Sequence, residues 1–461
     1  MSKLIYDKLI IIRRHLCMLW RKAEKKITDW IHTPKGALLV NGARQVGKTY
    51  LIRSCLQKTN SHFIEINLIE QPELIPILEQ TRTIDDLVIN LTAVLNVSFV
   101  KGKTVLFIDE VQEVKDLVTQ VKFWVEEGSY HYILSGSLLG IELRSLRSAP
   151  VGYMEELKIY PLDFEEFLTA SGCKKASIQY LENCFKTCTP INEAVHNTMM
   201  THFKRYLIVG GMPAAVQEYV NSGDINMVDK LQRGIIEMYK MDFTKYEQNQ
   251  KKLMLISVFE QIPSQLLKQN KRFHYSDLQK GLRFERIEDS FLWLTAAGVA
   301  LPAYNATEPR VSLNQNKKNS LVKLYSADIG LLTCQYGNAA RLKILSGSGS
   351  INMGGIFENA VMQELAAHGF HVYFYNSHKN GELDFLIEKG AEVVPIEVKS
   401  GKDYYVHSAI SKACANPEYN ISEAYVLGDC NISKDGKITY YPVYLCDFIK
   451  DDANLPILAP L

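Results

Sequence analysis

The stretch ALLVNGARQVGKTYLIRSCL, residues 37–56, decides the fold of this chain. It begins with the apolar run ALLV, passes through the turn GARQVGKT at residues 42–49, and ends in an amphipathic helical pattern. The turn matches G-x-x-x-x-G-K-[ST], in which glycines let backbone N–H groups point at a phosphate and the next helix adds its positive dipole. A chance match in a glycine turn is the alternative, and the flanking strand and helix argue against it.

Each position of this turn has a chemical role under that interpretation. Lys48 neutralises the β- and γ-phosphate oxygens of a nucleoside triphosphate, and the hydroxyl of Thr49 coordinates Mg²⁺. We therefore predict ATP and Mg²⁺ as cofactors. The predicted ATP-binding residues of the turn are Gly42, Ala43, Arg44, Gln45, Val46, Gly47, Lys48 and Thr49.

Acidic and hydroxyl residues follow two further apolar runs. TVLFIDEVQ places Asp109 and Glu110 where a buried strand ends. Asp109 is predicted to hold Mg²⁺ with Thr49, and Glu110 to polarise the attacking water. The alternative is that these residues cap the next helix, which would explain one of the two carboxylates but not both. In YILSGS, Ser137 is the predicted sensor of the γ-phosphate, although Ser135 fits equally and either residue also suits a plain turn.

The apolar runs predict an α/β fold with a buried parallel sheet. Besides ALLV, they are HFIEI, TVLFI, YIL and EELKIY. Most of these runs are continuously apolar, whereas a strand with one solvent-exposed face would alternate apolar and polar residues. The predicted segments are an N-terminal helix (1–22), an ATPase core (23–168), a helical lid (169–248), a winged-helix domain (249–345) and a C-terminal α/β domain (351–461). SGSGS at 346–350 has linker composition.

Composition sets limits on the class of protein. With 461 residues, 47% of them apolar and 22% charged, the chain is neither disordered nor collagenous. Because the net charge is only +1, a nucleic-acid partner would have to be bound by a local basic patch rather than by the overall charge of the chain. The nine cysteines show no C-x-x-C and no zinc-site spacing with histidine, which favours reduced thiols and a cytoplasmic protein. Arg13, Arg14 and His15 interrupt the apolar N-terminus, so we predict no membrane span, and a membrane-surface role stays open.

Five motifs together resemble one family. GARQVGKT, FIDEVQ, LSGS, YPLDFEEFL (160–168) and GGMP (210–213) occur in the order found in bacterial and archaeal AAA-type ATPases of the archaeal-ATPase and STAND-like branch. The resemblance implies an ATPase and an adenine-side contact from Gly210, Gly211 and Pro213, and the sequence leaves an oligomer open. Many relatives carry Gly-Arg a few residues before the last strand of the ATPase sheet. This chain has no Gly-Arg pair there, and Arg144 and Arg147 are the nearest candidates for an arginine finger.

The C-terminal segment carries a cluster of acidic and basic residues. Two predicted strands, 382–387 and 392–399, flank a turn at 388–391, so Asp384 should lie opposite Pro395 and diagonal to Glu397. Glu397 and Lys399 share a face because side chains alternate. With Glu358, the pattern resembles the PD-(D/E)XK nuclease core and predicts a divalent-metal site. A charged sheet edge or a core Glu-Lys pair would give the same pattern.

Charge weakens the case for binding a nucleic acid. From residue 345 onward there are eight lysines, no arginine and fifteen acidic residues, a net charge of −7. In the predicted winged helix, Lys268, Lys271, Arg272 and Lys280 form a modest basic patch, and Arg283 and Arg286 lie among acidic residues. A nucleic acid or a protein is therefore the predicted partner of this domain. Three functions remain open: an ATPase that switches its attached domains, an ATP-gated nuclease, and a non-catalytic ATP-binding scaffold.

Overall fold

The computed structural model describes residues 19–81, 83–114, 116–137, 152–246, 250–346, 352–377 and 380–451, with the side chains of 245, 246 and 250 left aside. Most of the predicted N-terminal helix, most of the linker, Arg144 and Arg147 lie outside these ranges. The chain divides into two compact units. We call Trp20–Tyr160 with Leu292–Val299 the phosphate-loop unit, and Pro161–Phe291 with Ala300–Leu461 the mixed-sheet unit.

The phosphate-loop unit contains a five-stranded sheet in the order β2-β3-β4-β1-β5, with every neighbouring pair parallel. The predicted α/β class and all five predicted strands of this unit are confirmed, because continuous apolar runs of this length fit strands buried on both faces. The strands are β1 (Ala37–Asn41), β2 (Phe63–Asn67), β3 (Val105–Asp109), β4 (His131–Gly136) and β5 (Met154–Lys158).

Helices cover this sheet and bury its core. Trp124 packs on Tyr132 with ring centroids 5.7 Å apart, within a cluster of Leu, Ile and Val side chains from the strands and helices. The described helices of the unit are Ala23–His32, Lys48–Lys58, Ile75–Gln80, Ile84–Leu95 and Leu117–Glu127, with 3-10 turns at Pro72–Leu74 and Val111–Glu113.

The mixed-sheet unit is built on an eight-stranded sheet in the order β12-β13-β11-β10-β9-β8-β6-β7. Its pairs β6–β8, β10–β11 and β11–β13 are parallel, and the remaining ones are antiparallel. The strands are β6 (Ala300–Ala306), β7 (Lys317–Ser326), β8 (Tyr373–Ser377), β9 (Gly381–Lys389), β10 (Glu392–Val398), β11 (Ala424–Gly428), β12 (Ser433–Asp435) and β13 (Ile438–Pro442).

Helices form the rest of the mixed-sheet unit, and most of the predicted lid is helical as expected. The helix Gly354–Ala367 is buried along almost its whole length, including its polar side chains Glu358, Asn359, Gln363 and Glu364. The other helices are Phe164–Ala170, Lys175–Thr187, Glu193–Val209, Pro213–Ser222, Ile225–Tyr246, Gln250–Leu267, Glu288–Ala296 (its last residues group with the phosphate-loop unit), Ile329–Tyr336, Asn338–Ser346 and Ser408–Ala415, with 3-10 turns at Tyr275–Asp277, Phe284–Arg286, Pro417–Tyr419 and Val443–Phe448. Among the described residues, no helix has the length and apolar character needed to cross a bilayer.

The segment predicted as a winged helix differs from its expected outline. Its predicted second helix is a single 3-10 turn, Tyr275–Asp277, which ends before Gly281, a residue with φ +77°. The predicted hairpin exists as β6 and β7, but β6 also pairs with β8, so the hairpin forms the edge of the eight-stranded sheet. The domain limits at residues 249 and 345 stay predictions.

The predicted register of the C-terminal hairpin is wrong by two residues. β9 and β10 pair with Glu392 opposite Lys389 and Ile396 opposite Phe385, which places Asp384 level with Glu397 rather than with Pro395. The cause is the turn. It consists of Gly390 and Ala391 alone, with φ +62° at Gly390, whereas the sequence favoured four residues.

Close packing explains the glycine pair of GGMP. A Cβ on Gly211 would lie 2.1 Å from the carbonyl oxygen of Leu162, and one on Gly210 would lie 2.4 Å from Asp328 Oδ1. The Asp328 carboxylate accepts hydrogen bonds from the amides of Gly211 (2.6 Å) and Leu331 (2.9 Å), and burial raises the pKa of this carboxyl to about 6. Pro213 stands at the start of the next helix, where proline is well tolerated.

We expect Asp328→Asn to lower the free energy of unfolding by about 1–3 kcal/mol, because an amide NH₂ would face a backbone N–H and leave one buried donor unsatisfied. Urea denaturation followed by circular dichroism measures the change. Asp224→Asn is the matched control: Asp224 is an exposed residue whose carboxylate accepts a bond from Asn226 N, a role that asparagine keeps. Equal stability of the two variants would contradict this account of Asp328.

Candidate active site

The phosphate loop has a backbone that only glycine-rich sequences adopt easily. Gly47 and Gln45 have φ of 89° and 69°, and the helix Lys48–Lys58 begins directly after Gly47. A Cβ on Gly42 would lie 2.2 Å from the carbonyl oxygen of Ile159, so only glycine fits there. Successive amides in this conformation form an anion-binding concavity at a helix N-terminus.

Lys48 lies inside this loop. Its Nζ donates to the carbonyl oxygens of Gly42 and Ala43, both at 2.9 Å, and the side chain is buried. Burial lowers the pKa of the ammonium to about 8, and the nearby Glu110 and Asp109 oppose that shift. The loop thus holds a cationic group at its centre, as the sequence predicted.

Asp109 connects the loop to the ends of three strands. Its Oδ2 accepts from Thr49 Oγ1 at 2.7 Å, and its Oδ1 accepts from the hydroxyl of Ser135. The side-chain Nδ2 of Asn67 lies 3.4 Å from Asp109 Oδ2. The two residues are neighbours because Asn67 pairs with Asp109, and Asp109 with Ser135, in the parallel register. Burial raises the pKa of Asp109, and the hydrogen bonds from Ser135 and Thr49 act in the opposite direction. The two predicted Mg²⁺ ligands are therefore in contact.

Glu110 has an unusual backbone for its residue type. Its φ of 57° lies in the left-handed region, where the Cβ of a non-glycine residue is strained against the backbone. Its Oε2 accepts from Gln112 Nε2 at 2.6 Å and lies 3.4 Å from Ser137 Oγ. Of the predicted catalytic residues Lys48, Glu110 and Ser137, the last two are thus close together, while Ser135 contacts Asp109 instead.

Two residues that the sequence did not single out support the loop. Arg21 is buried, and its guanidinium donates to the carbonyl oxygens of Val46 at 3.0 Å and Tyr160 at 2.7 Å. Gly298, with φ +73°, passes so close that a Cβ would lie 3.0 Å from Ala43 N. Both contacts reach backbone atoms, which carry no signal in the sequence.

The other predicted ATP-site residues are placed as follows. Ala43 and Val46 are buried and shape the loop, whereas Arg44 is half-buried and Gln45 is exposed at its tip. Pro213 belongs to the mixed-sheet unit, and its adenine contact stays a prediction.

The four residues predicted for a nuclease-like site lie in one region of the mixed-sheet unit. Lys399 Nζ lies 2.9 Å from Glu397 Oε1, and Asp384 Oδ2 accepts from the amide of Val398 at 2.9 Å. Glu358 is buried on the helix that packs on this part of the sheet. Burial, then repulsion from Asp384, raises the pKa of Glu397 to about 8.

Two further lysines enter this cluster and were not predicted to do so. Lys271 Nζ lies 2.6 Å from Glu358 Oε1, and the fully buried Lys323 lies 2.6 Å from Glu382 Oε1. Although burial lowers the pKa of Lys271, Glu358 and Asp384 raise it above its ordinary value. The carboxylates therefore already have cationic partners. Among the described residues, Glu358, Asp384 and Glu397 do not bring their oxygens close enough together to form a candidate metal centre.

Comparison with known families assigns the phosphate-loop region. Residues 34–168 match the family described as "AAA domain", which supports an AAA-type P-loop domain in this part of the chain. Residues 200–342 match "Domain of unknown function (DUF8612)", and residues 353–444 match "Domain of unknown function (DUF4143)". No curated protein gave a significant match to this chain.

Several solved structures are similar to the chain. The Walker-type ATPase PABY2304 of Pyrococcus abyssi is 15% identical, with a TM-score of 0.44 over 69% of this chain and 96% of that one. The ORC1 protein of Aeropyrum pernix, solved with DNA, is 10% identical, with a TM-score of 0.30 over 69% and 93%. A RuvB variant of Thermotoga maritima is 14% identical, with a TM-score of 0.28 over 63% and 89%.

We expect Arg21→Ala to weaken nucleotide binding about tenfold, because losing the bond to Val46 frees the loop to leave its binding conformation. Isothermal titration of an ATP analogue measures the affinity. Arg53→Ala is a matched control, since Arg53 is a more exposed arginine whose partner is Glu65 rather than the loop. An unchanged affinity in Arg21→Ala would show that the loop keeps its shape without this side chain.

Proposed function

We propose that this protein hydrolyses ATP with Mg²⁺ and uses the energy to switch the mixed-sheet unit between conformations. The observation that carries the proposal is the contact between Thr49, at the end of the phosphate loop, and Asp109, at the tip of β3. It joins the phosphate-binding and acidic halves of an ATPase site within the AAA domain.

The residues present fit Mg²⁺ and a triphosphate. Thr49 and Asp109 offer a hydroxyl and a carboxylate, the oxygen donors that Mg²⁺ prefers. The loop amides and the Lys48 ammonium match phosphate oxygens in charge and hydrogen-bonding character. When bound, Mg²⁺ neutralises the charge that develops on the phosphates. In this arrangement Ser135 holds Asp109 by its other oxygen, so the ligand face of that carboxylate stays fixed.

Glu110 is the proposed base for the attacking water. Its left-handed backbone carries the side chain beyond the strand end, and Gln112 bonds to the carboxylate at 2.6 Å. Ser137 lies beside the same carboxylate and is the proposed γ-phosphate contact. A carboxylate held by neighbouring donors is oriented to accept a proton from water.

Chain connectivity supports the switching part of the proposal. Leu292–Val299 belongs to the phosphate-loop unit, and the residues that follow it directly form β6 of the mixed sheet. Gly298 in that segment touches Ala43 of the loop. A change in the loop on binding ATP would thus act on the start of β6.

A second candidate function is an ATP-gated nuclease. It is favoured by the gathering of Glu358, Asp384, Glu397 and Lys399 in one region of the sheet. The contact between Lys271 and Glu358 weighs against it, because a lysine already balances a carboxylate that would face the metal. Lys268 likewise contacts Asp277, so two of the four cations of the basic patch have acidic neighbours. A nucleic-acid partner therefore has less support than a protein partner.

We expect Lys48→Ala to abolish ATP turnover, and Glu110→Gln to reduce it at least about 100-fold while nucleotide binding remains. Phosphate release measures turnover, and titration of ATP measures binding. Lys58→Ala, on the exposed face of the same helix, is the control and should behave as the unmutated protein. Full turnover in Lys48→Ala would refute the proposed ATPase site.

The nuclease candidate, in contrast to the switching ATPase alone, requires that the unmutated protein cleave DNA or RNA in Mn²⁺ only when ATP is present. Lys399→Ala should lose at least about 100-fold in cleavage with ATPase activity unchanged, because the lysine would steady the charged transition state. Gel analysis of labelled single-stranded and duplex substrates measures cleavage. Absence of any cleavage by the unmutated protein, with active ATPase, would leave the switching ATPase as the better account.

A further inference from the structure

The carboxylate cluster of the mixed-sheet unit contains a lysine that comes from outside the C-terminal segment. Lys271 follows the helix Gln250–Leu267 and lies within residues 200–342, whereas Glu358 lies within residues 353–444, a region matched by a different family. The Lys271 ammonium nevertheless lies 2.6 Å from Glu358 Oε1, and its side chain is only 14% exposed. It therefore enters a site to which the C-terminal segment supplies the acidic groups.

The backbone beside Lys271 is anchored to the edge of the sheet. Two residues later, the amide of Phe273 donates to the carbonyl oxygen of Val322 on β7 at 2.8 Å. The next residue of that strand is Lys323, which is fully buried. The two lysines thus approach the cluster from neighbouring segments, and both ammonium groups attract the carboxylate of Glu358.

The Lys271 ammonium occupies a place that is unfavourable for a cation unless carboxylates balance it. A Cβ on Gly354, the first residue of the helix Gly354–Ala367, would lie 3.9 Å from Lys271 Nζ. The N-terminus of a helix carries a partial positive charge, which repels a cation. Glu358, one turn into this helix, and Asp384 offset that repulsion and the cost of burial, so that the pKa of Lys271 lies above its ordinary value. The lysine is therefore charged because of carboxylates that were predicted to bind a metal.

The oxygens of Glu358 are already bonded within the protein. Oε1 faces Lys271, and Oε2 accepts from the hydroxyl of Tyr325 at 3.2 Å. Glu397 differs: Oε1 lies 2.9 Å from Lys399 Nζ, while Oε2 is buried and has no hydrogen-bond partner among the residues that the structure describes. One open oxygen is too few for Mg²⁺ or Mn²⁺, which take about six oxygen ligands. A metal ion thus needs Glu358, and Lys271 has to leave Glu358 first.

Charge leads to the same conclusion. With every group counted as ionised, the cluster has four carboxylates and three ammonium groups, so one negative charge is in excess. These groups are Glu358, Glu382, Asp384 and Glu397 with Lys271, Lys323 and Lys399. A divalent ion added to the whole set would leave an excess of positive charge in a largely buried place, which is costly. A divalent ion in place of the Lys271 ammonium would leave the set neutral, so the metal and the lysine compete.

We infer that Lys271 is the internal counter-ion of this cluster and excludes divalent metal ions from it. The metal ion that the resemblance to a PD-(D/E)XK core implies does not fit these residues as they stand, because an ammonium group supplies the positive charge instead. A movement that separates Lys271 from Glu358 would open the cluster to a metal ion. The inference concerns metal binding without nucleotide, so its failure and a failure of the proposed ATPase are distinguishable.

The test is a titration of the full chain with Mn²⁺, after treatment with a chelator and without nucleotide. Electron paramagnetic resonance of free Mn²⁺ counts the ions bound. Lys271→Ala should bind one more Mn²⁺ per chain than the unmutated protein, with an affinity at this cluster at least about tenfold higher, because no ammonium competes for Glu358. That additional ion should disappear when Lys271→Ala is combined with Asp384→Asn. If the unmutated protein already binds as many ions as Lys271→Ala, the inference is wrong.

Further variants separate this effect from a loss of charge or of folding. Lys268→Ala is the matched control and should bind Mn²⁺ as the unmutated protein does, because Lys268 is a more exposed lysine that contacts Asp277. Lys271→Gln keeps a donor for Glu358 without the charge, and it should also gain the ion. If either Lys271 variant is unfolded by circular dichroism, Mn²⁺ should restore the folded spectrum. No additional ion in either folded variant, or no recovery of an unfolded one, overturns the inference.

Discussion

The carboxylate of Asp109 is the interaction on which the phosphate-loop unit depends. It is buried, bonded on one oxygen by Thr49 and on the other by Ser135, and level with Asn67 on the neighbouring strand. Parallel strands bring their carboxyl ends to one edge, so one register fixes the relative position of three functional side chains. If β3 slipped by one residue, its functional side chain would turn to the opposite face of the sheet. The apolar strands thus determine the geometry of a polar site.

The mixed-sheet unit manages buried charge differently. Glu358 and Glu382 face the ammonium groups of Lys271 and Lys323, while Glu397 faces Lys399. Removing one partner of such a pair leaves a buried charge without its counter-ion, so the stability of the network is sensitive to small movements of either side chain. Lys271 and Glu358 lie in segments matched by different families, so their contact connects the two regions within the unit. These contacts form a network of ion pairs in which each of the three glutamates has a lysine partner.

Local sequence signals were enough for the phosphate-loop sheet and insufficient elsewhere. ALLV and TVLFI predicted β1 and β3 to within a residue, because a strand buried on both faces has to be continuously apolar. Arg21 was missed because its acceptors are backbone carbonyls at Val46 and Tyr160, which have no residue type to detect. The hairpin register failed by two residues because a two-residue turn at Gly390 replaced the expected four-residue turn.

Long-range pairing accounts for the remaining differences. Strand β6 pairs with β8, about seventy residues later, so the hairpin that the sequence predicted as the wing of a winged helix is part of the eight-stranded sheet. The same limit applies to Asp163, His368 and Asp447, which come together only in the fold because they lie on segments that are distant in the sequence. Sites assembled from single residues on distant segments need the fold before they can be found.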